Sequence, residues 1–191
     1  MSDDSSPQAR VPLLEPGQVT GEIAELYDQL YASRGVVPNM FKALANVPAL
    51  ALGVTALLKP LMGEGALAGW YKELIATYVA GLNRCEYCVS AHRYLALQRG
   101  ATAEQVACLN DPVRNGFERG PFNGKQKAGF RYAGLLHLSG NAIDGAAFAA
   151  VSAHLDAAEI IELTAVAAAF EMFPRFNSAL NIPVTPLPQS Q

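Results

Sequence analysis

No segment of this chain alternates apolar and polar residues with the period of two that a half-buried strand needs. Apolar residues recur instead every three or four positions, between residues that start or stop helices. The first stripe, Ile23, Leu26, Tyr27, Leu30 and Tyr31, predicts a helix over about Thr20–Ser33, ended by Gly35. Pro38 then opens a short helix, Asn39–Ala45, and Pro48 suits the first turn of another running toward Leu61. Gly63 and Gly65 break the chain before a helix of about Ala66–Leu82. Asn83 with Glu86 reads as a capping box for a helix over Arg84–Gln98, and Gly100 suits its C-cap. Thr102 with Gln105 and Asp156 with Glu159 are two more such boxes, opening helices to Leu109 and Phe173. Helices at Lys125–Leu138 and Asp144–His154 lie between them, after a Pro/Gly/Asn-rich loop at 111–124.

The expectation is therefore an all-α fold, and composition agrees. Ala contributes 32 of 191 residues, hydrophobic residues 51% and charged residues only 16%, which suits tightly packed helices around a sizeable core. One domain over 18–181 is expected, between arms at 1–17 and 182–191 where Pro, Ser and Gly recur without period. A weak repeat at an offset of 54 aligns Tyr78-Val79-Ala80-Gly81-Leu82 with Tyr132-Ala133-Gly134-Leu135-Leu136, giving two units of long helix, second helix and capped third. The formal charge of −3 without a Lys/Arg run speaks against nucleic acid and polybasic membrane binding. The acidic, polar start carries no signal pattern, and no apolar run reaches the ~18 residues that span a bilayer, so a cytoplasmic protein is expected. Three cysteines, two of them close together, do not make a secreted disulfide framework.

The chemistry concentrates in Asn83-Arg84-Cys85-Glu86-Tyr87-Cys88-Val89-Ser90-Ala91-His92. Positions i, i+3 and i+7 share a helix face, so Cys85, Cys88 and His92 align, with the two cysteine Cα atoms roughly 5 Å apart. That separation lets a disulfide close and reopen with little backbone movement. A helix start favours a thiolate, most of all at Cys85, and His92 can serve as base or proton relay near Cys88. Glu73, on the preceding helix, has no Lys or Arg three or four residues away, so it is not an ordinary surface ion-pair residue. Facing the Cys–His stripe, it can pass a proton. Zinc is the rival use of Cys85, Cys88, His92 and Glu73, but one helix seldom spreads such a set tetrahedrally, and no metal is expected. Cys108 reads as core. His137 and His154 read as packed or capping residues. Trp70, Tyr71 and Tyr78 read as core rather than pocket wall, and Arg175 as a tie at a helix end or interface.

Glu73-x11-Cys85-x2-Cys88-x3-His92 resembles the signature of the alkylhydroperoxidase D and carboxymuconolactone decarboxylase superfamily. The likeness extends to Asn39-Met40-Phe41-Lys42-Ala43-Leu44, Gly100-Ala101-Thr102-Ala103-Glu104 and Arg175-Phe176-Asn177. It covers roughly 38–183 and is nearest the peroxidase-related branch. The resemblance implies an all-α fold with duplicated helical units, assembled as trimers or hexamers, without organic cofactor. It implies a hydroperoxidase in which peroxide oxidises Cys88, Cys85 resolves it as the more exposed thiol, and an external dithiol or protein reductant restores the pair. The helix-start argument favours Cys85 as the easier thiolate instead. The chain also carries Tyr87 where the familiar pattern has His, which removes one arm of the proton relay. A thiol-disulfide oxidoreductase, or a non-catalytic redox-sensing oligomer, is the alternative. Lactone decarboxylation is disfavoured, because the decarboxylase members lack the cysteine pair.

Overall fold

The computed structural model describes residues 8–188. Among them the regular structure is helical throughout: α1 Glu22–Arg34, α2 Asn39–Leu44, α3 Pro48–Met62, α4 Gly69–Leu82, α5 Glu86–Gln98, α6 Ala103–Ala107, α7 Gly124–Leu138, α8 Gly145–Ser152 and α9 Ala157–Ala179. The loop at 111–124 holds two single 3₁₀ turns. The Thr102–Gln105 and Asp156–Glu159 boxes both form, opening α6 and α9. They stand 54 residues apart, so the order long helix, second helix, capped third recurs as α4–α5–α6 and α7–α8–α9. The repeats have diverged most in their third helix, five residues in one and twenty-three in the other.

The core is built around α4, which packs against α5, α7 and α9. Its residues from Tyr71 to Ala80 are all buried, so α4 is apolar on every side except at Lys72, Glu73 and Thr77. Phe130 of α7, fully buried, sits among the rings of Tyr71, Tyr78, Phe117 and Phe122 and locks the two long helices together. Lys72 is buried with its charge met by Glu162 of α9 at 2.8 Å and by the Gly63 carbonyl at 2.9 Å. Glu162 also accepts the amides of Ala66 and Leu67, so this one carboxylate pins the turn before α4 to α9.

The sequence places the end of the last helix at Phe173, but α9 continues six residues further, to Ala179. Pro174 normally stops a helix because it lacks the N–H and crowds the preceding turn. Here Phe170, Phe173, Pro174 and Asn177 are all buried, and that packing carries the helix through. Residues 8–17 and 182–188 lie against the domain. Arg10 donates its amide to the Leu180 carbonyl, the Asn39 side chain donates to the Pro183 carbonyl, and Ile182 and Thr185 are buried. The rest of both arms, 1–7 and 189–191, lies outside the described residues. Among the described residues no helix is long and apolar enough to cross a membrane.

Candidate active site

Three residues reverse the chain between α4 and α5, and they set the geometry of the thiols. Asn83 closes α4, its side-chain amide donating to the Val79 carbonyl at 3.0 Å. Arg84 then takes φ +55°, a left-handed conformation that is costly for a residue with a side chain. Cys85 follows in extended conformation as the N-cap of α5, its Sγ accepting the Cys88 amide at 3.4 Å. The expected Asn83–Glu86 box does not form, and α5 starts at Glu86, two residues later than expected. The reason is the closeness of the α4–α5 hairpin: the reversal consumes 83–85, and the sulfur takes the capping place assigned to Asn83.

The two sulfurs are 2.9 Å apart, close enough to share one thiol proton. Cys85 is the acidic member. Its pKa is lowered to about 7, first by the hydrogen bond from Cys88, against the opposing effect of burial, and further by the Cys88 and Tyr87 amides at the helix start and by Ser178. Cys88 moves the other way, raised by the same Cys85 contact, by burial and by the neighbouring charge. Both side chains are buried, Cys85 at 3% and Cys88 at 2% exposed, so neither thiol is open to solvent. A capping sulfur is drawn in toward the helix end.

Glu73 and His92 meet across the hairpin. Glu73 Oε2 lies 2.5 Å from His92 Nδ1, and its other oxygen lies 3.4 Å from Arg99 Nη1. The carboxylate is 1% exposed. Arg99 also donates to the Met62 carbonyl, and the His92 ring packs edge-on against Phe170. Glu73 and His92 are thus paired with each other rather than converging on a metal. Among the described residues no three His, Cys, Asp or Glu side chains gather as a ligand set.

Tyr87, which stands where the resembled pattern has His, uses its phenol oxygen as an acceptor. The oxygen accepts the Met40 amide at 2.9 Å and the Thr185 hydroxyl at 3.3 Å. Thr185 in turn accepts the Asn39 amide. The phenol therefore ties α2 and the C-terminal segment to α5.

A cavity of about 420 Å³ opens beside the thiols. Cys88, Glu73, His92, Tyr87 and Asn177 line it, and Cys85 does not. Its walls are mainly apolar side chains of α1, α3 and α9. Three of its contributors escaped the sequence reading. Asn177, 1% exposed, donates its amide to Cys88 Sγ at 3.3 Å and to Met40 Sδ at 3.6 Å. It lies within Arg175-Phe176-Asn177, beyond the helix end expected at Phe173. Arg99 lies one residue past α5, and Arg34 closes α1; neither stands near the cysteines in sequence.

The remaining candidates lie elsewhere. Cys108 is partly buried against the core, next to Gly120. His137 pairs with Glu171 at 2.8 Å, and Arg175 reaches the same carboxylate from one turn on. His154 lies against Gly124. Tyr71 and Tyr78 are core residues whose hydroxyls bond to the Gln126 carbonyl and the Asn115 side chain.

The protein is an all-α domain with a buried, capped Cys-x-x-Cys and a Glu–His pair across the hairpin, and comparison with known proteins shows what it is similar to. Residues 48–112 match the sequence model of the carboxymuconolactone decarboxylase family. A peroxidase-related protein of Ralstonia eutropha JMP134, described as an alkylhydroperoxidase AhpD core, superposes with a TM-score of 0.84 at 21% identity, covering 95% of this chain and 94% of that one. A peroxidase-related protein of Silicibacter sp. TM1040 gives 0.80 at 25% identity, with the same coverage. The YnjA protein of Escherichia coli (strain K12) is 26% identical over 113 residues, 59% of this chain and 59% of its own length. About a third of the chain thus matches the carboxymuconolactone decarboxylase family model, and the whole fold is similar to that of AhpD-like, peroxidase-related proteins.

Proposed function

We propose that the protein is a dithiol hydroperoxidase in which Cys88 is oxidised and Cys85 resolves it. The observation that carries this reading is the position of Cys88: its sulfur faces the cavity while resting 2.9 Å from the acidic Cys85. Moving the shared proton to Cys85 makes Cys88 the thiolate. That thiolate attacks an oxygen of ROOH; an S–O bond forms, the O–O bond breaks and RO⁻ departs. The Glu73–His92 pair hands a proton to the departing alkoxide, giving ROH. Cys85 then attacks the Cys88 sulfenic acid, an S–S bond forms and water leaves. An external dithiol returns two electrons and two protons by thiol–disulfide exchange. No organic cofactor enters this cycle.

Turnover of an organic hydroperoxide with dithiothreitol tests the reading, alongside Cys88→Ser and Cys85→Ser. Mass spectrometry after stoichiometric peroxide should show a loss of two hydrogens in the peptide holding Cys85 and Cys88, with Cys108 still a thiol. A dominant Cys108 adduct, or turnover undiminished in Cys88→Ser, would refute it. Glu73→Gln and His92→Ala should each slow peroxide oxidation of the thiols by ~10²–10⁴-fold. Because the two act as one unit, the double variant should be little slower than the slower single one. Wild-type rates in both singles would remove the relay.

The Tyr87 phenol, occupied by Met40 and Thr185, favours one second reading: disulfide exchange with protein partners, or redox sensing, without peroxide turnover. A reversible Cys85–Cys88 disulfide formed by oxidised glutathione, in a protein inert to every hydroperoxide, would select it.

A further inference from the structure

The cavity is electrostatically lopsided. Three cationic side chains line it, Arg34, Lys59 and Arg99, against a single carboxylate, Glu73. That carboxylate is already committed to His92 and Arg99. Among the described residues neither Arg34 nor Lys59 has a charged partner, and Lys59 is exposed to solvent whereas Arg34 is partly buried. Arg34 closes α1, and burial lowers its pKa, with the Glu73 charge opposing. Among the described residues its guanidinium has no ion-pair or hydrogen-bond partner. It does not bond the last carbonyls of α1 either; the Tyr31 carbonyl is taken by the Gly35 amide. A guanidinium partly withdrawn from water, with five donors and no acceptor, is an unfavourable arrangement unless something else supplies the acceptor.

We infer that Arg34 anchors the carboxylate of an amphipathic ligand whose apolar body lies along Leu30, Leu58, Met62 and Phe173. On the hydroperoxidase reading above, on which this inference rests, the substrate is then an organic hydroperoxide that also bears a carboxylate. The shape of the site fits this class. A planar guanidinium pairs a carboxylate through two parallel hydrogen bonds, and the cavity that Arg34 and Cys88 both line is mainly apolar. The volume suits a small organic molecule rather than a macromolecule. Hydrogen peroxide would use neither the walls nor the cation.

Calorimetric titration of the reduced wild-type protein with decanoate and with decan-1-ol tests this directly. The two share a chain and differ in the anion. Decanoate should bind roughly ten- to hundredfold more tightly, the range expected for one charge-assisted pair. Arg34→Gln should abolish that preference, and Arg34→Lys, which keeps the charge, should restore part of it; thermal melting of both variants checks that they fold. Equal binding of the two ligands to wild type, or a decanoate preference that survives Arg34→Gln, would overturn the inference. A second arm compares kcat/KM for a fatty-acid hydroperoxide and its methyl ester. The acid should be favoured in wild type and lose its advantage in Arg34→Gln; an ester turned over as fast as the acid by wild type overturns the inference while leaving the hydroperoxidase reading intact. Decanoate binding through Arg34 in a protein that turns over neither compound would do the reverse, sinking the peroxidase reading and keeping the anion site.

Discussion

Replacing Cys88 by alanine should make Cys85 an ordinary thiol. The Cys85 pKa is lowered to about 7 chiefly by its hydrogen bond with the Cys88 side chain, sulfur to sulfur at 2.9 Å. At pH 7 a thiol with that midpoint is about half ionised, whereas one at the reference value near 8.5 is about 3% ionised, roughly a fifteenfold loss of thiolate. The backbone amides at the start of α5 survive the substitution and hold back part of the change; burial, which also survives, pushes it further. The sign is fixed: the thiolate appears as pH rises through the midpoint, so the absorbance curve of the variant should move to higher pH. The assay is the ultraviolet absorbance of the thiolate against pH, in a Cys108→Ser background so that only the pair titrates. Cys88→Ser is the informative control. Its hydroxyl can still donate, so its midpoint should stay nearer 7 than that of Cys88→Ala. Midpoints near 7 in both variants would show that Cys88 is not the cause. A wild-type midpoint near 8.5 would show that the acidic Cys85 does not exist.

Three further expectations come from other parts of the molecule. Asn177→Ala removes the only side-chain amide bonded to Cys88 Sγ among the described residues, and should slow peroxide oxidation of Cys88, read by stopped-flow kinetics, with a stability loss of about 1–3 kcal/mol. Glu162→Gln leaves Lys72 buried beside a neutral partner; chemical denaturation should show a loss approaching the ~3–5 kcal/mol typical of a broken buried pair, moderated because Glu162 is partly exposed. Val47, Leu50 and Leu57 are exposed on and beside α3, and light scattering at micromolar concentration should find an oligomer of the trimer or hexamer class; a stable monomer would contradict it.

The fold was legible because its helices announce themselves locally. Capping boxes at Thr102 and Asp156, prolines at helix starts and apolar stripes are all short-range signals, and the structure follows them. Glu73 could be singled out for a similar reason: a carboxylate without a cation one turn away needs a partner from another helix. What stayed hidden depends on packing at long range. The reversal at 83–85 is fixed by how closely α4 and α5 approach, which no capping pattern records. The passage of α9 through Pro174 is fixed by the burial of Phe170, Phe173 and Asn177. Arg34, Arg99 and Asn177 enter the cavity from three separate parts of the chain. Nothing in the local sequence of Arg34 or Arg99 distinguishes them from surface residues, and Asn177 is marked only by the family likeness of Arg175-Phe176-Asn177.

The wall of the cavity spans the chain from Leu26 to Leu187, while the thiols sit near its middle. During synthesis the Cys-x-x-Cys turn therefore exists long before its surroundings do. Asn177, which bonds Cys88, and Thr185, which reaches the Tyr87 phenol, emerge 89 and 98 residues after their partners. The emerging polypeptide passes through a period in which the pair lacks this cover, and the site closes only once these later residues have been added. Selectivity among oxidants is in this sense conferred late, by residues far along the chain from the thiols they enclose.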